Sequence, residues 1–128
     1  MTHPGVWPTL RANDAPELLR FLTEVVGFEA TLVIPSDEGI AHAELVWPEG
    51  GGLMLGSARP AGDDHWPVAP GSGAIYLSTQ DVEGLVERLS CAGVSLSGPP
   101  TTTDYGSQQL EFRDPEGNLW SAGTYRGA

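Results

Sequence analysis

Two side chains in the first half of the chain have the spacing of an acid–base pair. His42 and Glu44 are separated by one residue, in a stretch where apolar and polar residues alternate. Residues i and i+2 of a β-strand project from the same face, so the imidazole and the carboxylate are expected to lie side by side. A carboxylate stabilises a protonated imidazole, and such a pair can move a proton at neutral pH. The alternative is a hydrogen-bonded pair without chemistry, because strands often carry polar pairs on an open face.

A second carboxylate, Glu111, is predicted on the same surface as His42 and Glu44. These three groups leave open a metal site of unusual position. His3 and His65 fall in a terminal segment and in a linker, and are expected to be solvent-exposed groups rather than ligands. The lone Cys91 excludes an internal disulfide and a multi-cysteine metal site, and it is predicted to be a small apolar residue within a helix.

The tryptophans favour a binding site for an aromatic molecule. Four occur in 128 residues. Trp7 is expected at the centre of a cleft, where an indole can stack on a planar ligand. Trp47 at a strand end and Trp66 in a linker are expected to be able to close over a bound molecule, whereas Trp120 is predicted to belong to the core.

These side chains are positioned by an internal repeat. The segment that begins at Asp14 matches the segment that begins at Asp81, and Leu10 matches Leu77 at the same offset of 67 residues. In each copy a strand leads to an aspartate that can cap a helix, and the helix then shows one apolar stripe. The repeat therefore predicts two copies of one strand–helix unit.

The predicted helices have clear ends. Asp14 can accept from the first free amides, and Glu17, three residues later, is expected to complete a capping box. Gly27 and Gly93 supply the left-handed residue that ends each helix. Alternation and β-propensity predict the strands, at residues 6–11, 29–34, 39–47 and 52–57 in the first half and 74–78, 94–97, 107–113 and 119–125 in the second.

The pleat of these strands separates two kinds of face. The apolar face is predicted to form the core beneath the helices, with Leu10, Ala41, Ala43, Leu45, Leu53, Leu55, Ile75, Leu77, Leu110, Phe112 and Trp120. The opposite face is mixed and suits a ligand with aromatic and polar parts. Its predicted members are Trp7, Thr9, His42, Glu44, Met54, Tyr76, Gln109, Glu111 and Ser121, to which Trp47 and Trp66 are added as ligand-binding candidates.

Length and charge limit the class of protein. A chain of 128 residues fits one domain, residues 1–128, with modules at about 1–57 and 74–128 joined by a linker over 58–73. The formal charge of −11 repels phosphate backbones and anionic lipids, so nucleic acid and membrane partners are not expected. No secretory or membrane-spanning pattern is found, and the expected location is the cytoplasm.

The element order resembles that of the vicinal oxygen chelate superfamily, the glyoxalase/bleomycin resistance protein/extradiol dioxygenase group. The resemblance rests on the segment from Trp7 to Asp14, on Val26-Gly27-Phe28, and on the ending from Phe112 to Gly123 with its Asp-Pro-Glu-Gly-Asn turn. It covers essentially the whole chain. It implies an α+β fold of two tandem βαβββ modules, in which a curved mixed sheet surrounds a cleft and the helices lie on the outer face.

Metal-dependent members of that superfamily carry four ligands, drawn from His, Glu and Gln, on the first, fourth, fifth and eighth strands. In this sequence the matching positions hold Trp7, Met54, Ala74 and Ser121. These side chains lack the imidazole and carboxylate donors that such cations need. The resemblance therefore predicts a protein with neither a metal nor another cofactor.

Three functions follow from this interpretation. The first is a metal-independent binding protein, resembling the bleomycin-resistance branch, that sequesters an aromatic or cationic natural product as a homodimer. The second is an enzyme with a non-standard active site, either a lyase or dioxygenase with relocated metal ligands or a cofactor-free isomerase using His42 and Glu44. The third is a binding domain for an ordinary metabolite. The first accounts for the aromatic residues, the carboxylates and the net charge together.

Overall fold

The chain folds into two mixed four-stranded sheets of the same strand order, as a computed structural model describes it for residues 4–37, 39–58, 67–104 and 106–128. The first sheet has the order β1-β4-β3-β2 and the second the order β5-β8-β7-β6. In each sheet the first and fourth strands of the module are parallel and the other pairs are antiparallel. The strands are β1 (Thr9–Ala12), β2 (Glu29–Ser36), β3 (Gly39–Val46), β4 (Gly52–Ser57), β5 (Ala74–Ser78), β6 (Thr101–Thr102), β7 (Gln108–Arg113) and β8 (Leu119–Gly123). The predicted α+β fold of two βαβββ-like modules is confirmed.

One helical segment lies between the first two strands of each module. Helix α1 (Ala15–Arg20) continues directly as a π-helical segment (Phe21–Val26), and α2 (Val82–Cys91) occupies the matching place in the second module. Both predicted aspartate caps are confirmed, since Asp14 and Asp81 each accept a backbone N–H within the first turn. Among the described residues no helix is long and apolar enough to cross a bilayer.

The predicted helix ends are confirmed as well. Gly27 has a φ of 114°, a left-handed conformation that glycine adopts without the steric cost of a Cβ atom. Its N–H and that of Phe28 both donate to the Leu22 carbonyl, which closes the π-helical segment. Gly93, with a φ of 76°, follows the end of α2, and the exposed Cys91 is the last residue of that helix.

The expected capping box at Asp14 is not formed, and a distant residue takes its place. The Glu17 carboxylate binds Arg20 instead, and this hydrogen bond holds the pKa of Glu17 below its ordinary value. Glu116, in the turn before β8, accepts the backbone N–H groups of Asn13 at 2.7 Å and Asp14 at 2.9 Å. The cap is therefore completed from the second module rather than from within the helix.

The predicted core is confirmed with two exceptions, of which the first is Ile75, a partly buried side chain packed against the core. Ala41 is exposed, and its neighbour Ile40 is buried instead. On β2 the consecutive residues Ile34 and Pro35 pair with His42 and Ile40 of β3. Ala41 is left without a cross-strand partner and is the extra residue of a β-bulge. A bulge shifts the inside–outside alternation by one position, which periodicity alone does not reveal.

The strand predicted at residues 94–97 is also corrected. Only Leu96 forms a bridge there, to Phe112, and the strand that pairs with β7 on the side away from β8 is β6. The intervening segment contains Pro99 and Pro100, which have no N–H to donate to a ladder. Strand β1 begins at Thr9 rather than at residue 6, and Pro8 directly precedes it.

Candidate functional site

The predicted binding residues fall into two rows on two sheets. Thr9 is paired with Met54, and Met54 with Glu44, across β1, β4 and β3. In the second sheet the pairs are Tyr76 with Ser121 and Ser121 with Glu111, across β5, β8 and β7. Each member of the second row lies 67 residues after its counterpart in the first. We call the face with Thr9, Glu44 and Met54 the first open face, and the face with Tyr76, Glu111 and Ser121 the second open face.

The structure does not bring these two rows together in one cavity. None of the well-defined cavities lined by described residues is bordered by both rows. A cavity of about 210 Å³ on the second open face is lined by Ala74, Ile75, Tyr76, Leu119 and Ser121. The residues expected in one common cleft therefore belong to two different sheets.

His42 and Glu44 lie side by side, as their spacing predicts. The His42 Nε2 and Glu44 Oε2 atoms are 2.8 Å apart, and the two side chains are 38% and 29% exposed. A half-exposed hydrogen-bonded pair of this kind remains accessible to a ligand. Glu111 lies on the other sheet, and no group of three or more metal-binding His, Cys, Asp or Glu residues forms within the described ranges.

The Trp7 indole packs over the start of β4. A Cβ atom added to Gly52 would lie 2.8 Å from Cζ3 of Trp7, so the ring covers the side of the strand to which residue 52 would project. Residues 52 and 54 share a face of the strand, and the indole therefore belongs to the first open face with Met54. The side chain is half-buried, which leaves part of the ring exposed.

Trp47 has a different place from the one expected. It is 9% exposed, its ring lies 5.1 Å from that of Phe28, and its indole N–H donates to the Ser78 carbonyl at 2.8 Å. These contacts fix it in the core, so it is not a movable cover. It borders a cavity of about 460 Å³ at the junction of the two modules, together with Tyr76 and Tyr125.

The remaining predicted residues include one on a strand, one in the core and three that the structure does not describe. Gln109 lies in β7, where it pairs with Gly123 and with Thr101 of the edge strand. Trp120 is fully buried, as predicted. Trp66, His65 and His3 lie outside the described residues.

Three residues of the first open face were missed. Arg11 follows Thr9 by two positions and shares its face, and its guanidinium covers Gly56, because a Cβ there would lie 2.5 Å from Nη1. Strict alternation from Thr9 would have found it. Leu32 and Ile34 pair across strands with Glu44 and His42, and this depends on the bulged register of β2 and β3, which the sequence does not show.

The side chains at the four expected metal positions do not fit a divalent cation. Trp7 packs on Gly52, Met54 lies between Thr9 and Glu44, and Ser121 lies between Tyr76 and Glu111. Together with the methyl group of Ala74, they offer an indole, a thioether and one hydroxyl. Zinc, iron and manganese sites require imidazole, carboxylate or thiolate donors, so no chemistry through a metal is assigned to these positions.

The sequence of this chain matches one superfamily over most of its length. Residues 6–122 match the model of the Glyoxalase/Bleomycin resistance protein/Dioxygenase superfamily. The chain belongs to this superfamily, which confirms the resemblance read from the sequence.

The sequence identity between this chain and individual relatives is low. The chain is 29% identical over 140 residues to the anthracycline biosynthesis protein DauV of Streptomyces sp. (strain C5), with 98% of this chain and 50% of DauV covered. It is also 29% identical over 111 residues to lactoylglutathione lyase GLX1 of Arabidopsis thaliana, with 84% of this chain and 39% of that enzyme covered. The chain thus spans half or less of the length of these relatives.

Solved structures agree with the fold. TioX from Micromonospora sp. ML1 superposes with a TM-score of 0.80 at 24% identity, covering 96% of this chain and 98% of TioX. TnmS3, an antibiotic binding protein from Streptomyces sp. CB03234, superposes with a TM-score of 0.70 at 27% identity, covering 95% and 94% of the two chains.

Proposed function

We propose that this chain is a metal-independent binding protein for a planar aromatic cation, and that it sequesters a natural product of that type. The observation that carries the proposal is the arrangement of the first open face. The half-buried Trp7 indole lies two residues along β4 from Met54, and Glu44 is the cross-strand neighbour of Met54. A ring stacked on the indole therefore lies about 7 Å along the strand from the Met54–Glu44 row, within reach of that carboxylate for an attached cation.

The charge and the relatives support the same ligand class. A formal charge of −11 attracts cations and repels anions at long range. TnmS3 is described as an antibiotic binding protein and DauV as an anthracycline biosynthesis protein. The donor set at the four metal positions removes the usual reason for catalysis in this fold.

We also propose that the protein acts as a homodimer. The two open faces are separate in one chain, and a second copy would let the first open face of one protomer meet the second open face of the other. The lone, unpaired Cys91 fits a reducing compartment, and the cytoplasm is the proposed location.

Calorimetric titration with N-methylquinolinium tests the binding function. We expect Trp7→Ala to weaken binding about tenfold, because the stacking and cation–π contacts are lost. Val68→Ala, a change at another exposed apolar side chain, should have no effect. Metal analysis of protein purified without chelators should give no stoichiometric Mn, Fe, Ni or Zn. A stoichiometric metal, or equal affinities in wild type and Trp7→Ala, would contradict the proposal.

A second candidate function is catalysis by the His42–Glu44 pair. It is favoured by their 2.8 Å contact and by the similarity to GLX1. If a bound compound is converted to a product and His42→Gln abolishes that conversion while preserving binding, the protein is an enzyme.

A further inference from the structure

The edge strand β2 exposes apolar side chains on both of its faces. All eight residues are exposed, and Leu32, Val33 and Ile34 are 42%, 43% and 45% exposed. Leu32 and Ile34 project to the first open face, because their cross-strand partners are Glu44 and His42. Val33 projects to the opposite face, where its partner is the buried Ala43. Two apolar side chains therefore border the polar pair of the candidate site.

The strand order sets the distance between the two apolar ends of this face. Trp7 lies beside β1 and β4, whereas Leu32 and Ile34 lie on β2, three strands from β1. Neighbouring strands are about 4.8 Å apart, so the face spans about 14 Å from β1 to β2. His42 and Glu44, on β3, lie between the two ends.

We infer that Leu32 and Ile34 form an apolar subsite for an aliphatic substituent of the ligand. This inference rests on the proposed function and refines it. The ligand class is then an elongated amphipathic cation, with a planar ring system over Trp7, a positive charge near Glu44, and an alkyl portion that crosses β3 to reach β2. An aromatic cation without an alkyl portion fills only half of the face.

Strand pairing with another chain is a poor explanation for these exposed residues. Thr31 in β2 and Ala41 in β3 are unpaired extra residues, so the edge carries two bulges. Pro35, near the end of β2, has no N–H to offer a further strand. Bulges and prolines at an edge hinder the addition of a strand, so the apolar side chains are better explained by contact with a ligand.

A homologous series of N-alkylquinolinium ions tests the subsite. Each methylene buried on binding should tighten binding about threefold to fourfold, so N-hexylquinolinium should bind wild type at least about tenfold more tightly than N-methylquinolinium. Leu32→Ser and Ile34→Ser should each reduce this gain, the ratio of the two affinities, to less than about threefold. Val33→Ser is the matched control, because it makes the same kind of change at equal exposure on the other face, and it should retain the full gain.

The outcomes separate this inference from the proposed function. If wild type binds neither ion, the proposed function fails and the subsite with it. If wild type binds both ions and the gain survives in Leu32→Ser and Ile34→Ser, only the subsite is wrong. If Val33→Ser loses the gain as well, β2 acts through pairing with a second copy, and the subsite is again overturned. Circular dichroism of each variant verifies that the fold is retained.

Discussion

Asp114 is the polar residue on which the last hairpin depends. It is 5% exposed, and its two carboxylate oxygens accept four hydrogen bonds. Oδ1 accepts the backbone N–H groups of Glu116 at 2.9 Å and Asn118 at 3.1 Å. Oδ2 accepts the Asn118 side-chain amide and the Trp120 indole N–H, both at 2.8 Å. The turn and the fully buried Trp120 are thus held by one carboxylate.

Replacing this carboxylate is expected to be costly. Asp114→Ala should lower the free energy of unfolding by about 3–5 kcal/mol, since it leaves buried donors of Asn118 and Trp120 without acceptors. Asp114→Asn should cost about 2 kcal/mol, because its amide keeps one oxygen acceptor. Urea denaturation measures both losses. The exposed Asp104→Ala is the control and should change stability by less than about 0.5 kcal/mol. A neutral Asp114→Ala would show that the network is dispensable.

At the scale of elements, each module caps the helix of the other. Glu116 accepts the backbone N–H groups of Asn13 and Asp14, and Glu49 accepts that of Gln80 at 3.0 Å. Glu49 and Glu116 are 67 residues apart, and so are Asn13 and Gln80. The two contacts are therefore equivalent by the internal repeat. They join the β3–β4 and β7–β8 turns to the starts of the opposite helices.

Loss of either contact should destabilise the N-terminus of one helix. Glu116→Ala should cost about 1 kcal/mol of unfolding free energy, and Glu49→Ala, which breaks one bond instead of two, should cost less. Hydrogen exchange should become faster at Asn13 and Asp14 in Glu116→Ala, but not in Glu49→Ala. Glu87→Ala, on the exposed side of α2, is the control. Unchanged exchange at these amides in Glu116→Ala would refute the assignment.

At the scale of the whole molecule, two features have opposite effects on dimer formation. The two open faces favour association, and the strong negative charge resists it. Tyr76 on the second open face is 42% exposed, and the cavity beside it is lined by residues of the second sheet. Association of two copies would cover these faces. The charge of −11 on each copy resists that association, and salt screens the repulsion.

Light scattering at micromolar concentration should therefore give about twice the chain mass of 13.5 kDa. The dimer should be tighter at high salt than at low salt, since screening weakens the repulsion between two anionic copies. Tyr76→Asp should weaken the dimer about tenfold or more, because it adds a negative charge to the proposed contact between two anionic copies. The same change at the exposed Val68 should not. A monomer at every salt concentration would remove the dimer from the proposal.

The sequence predicted the local parts of this protein well. The Asp14 and Asp81 caps, the Gly27 and Gly93 ends and the adjacency of His42 and Glu44 depend on residues within a few positions of one another. Predictions from the sequence were wrong where a contact came from a distant segment, or where a bulge interrupted a strand. Glu116 replaced Glu17 at the helix cap across more than 100 residues of sequence, and the bulge at Ala41 moved the core position to Ile40.

The sequence by itself determined the superfamily, the repeat of two modules, the helix ends and most of the core, because spacing and capping chemistry are encoded locally. Only the tertiary structure decided that the candidate binding residues lie on two different sheets, that Trp47 is fixed in the core, and that Leu32 and Ile34 border the His42–Glu44 pair. The physical reason is that register and bulges are set by contacts between strands distant in sequence, and a shift of one residue exchanges the two faces of a strand.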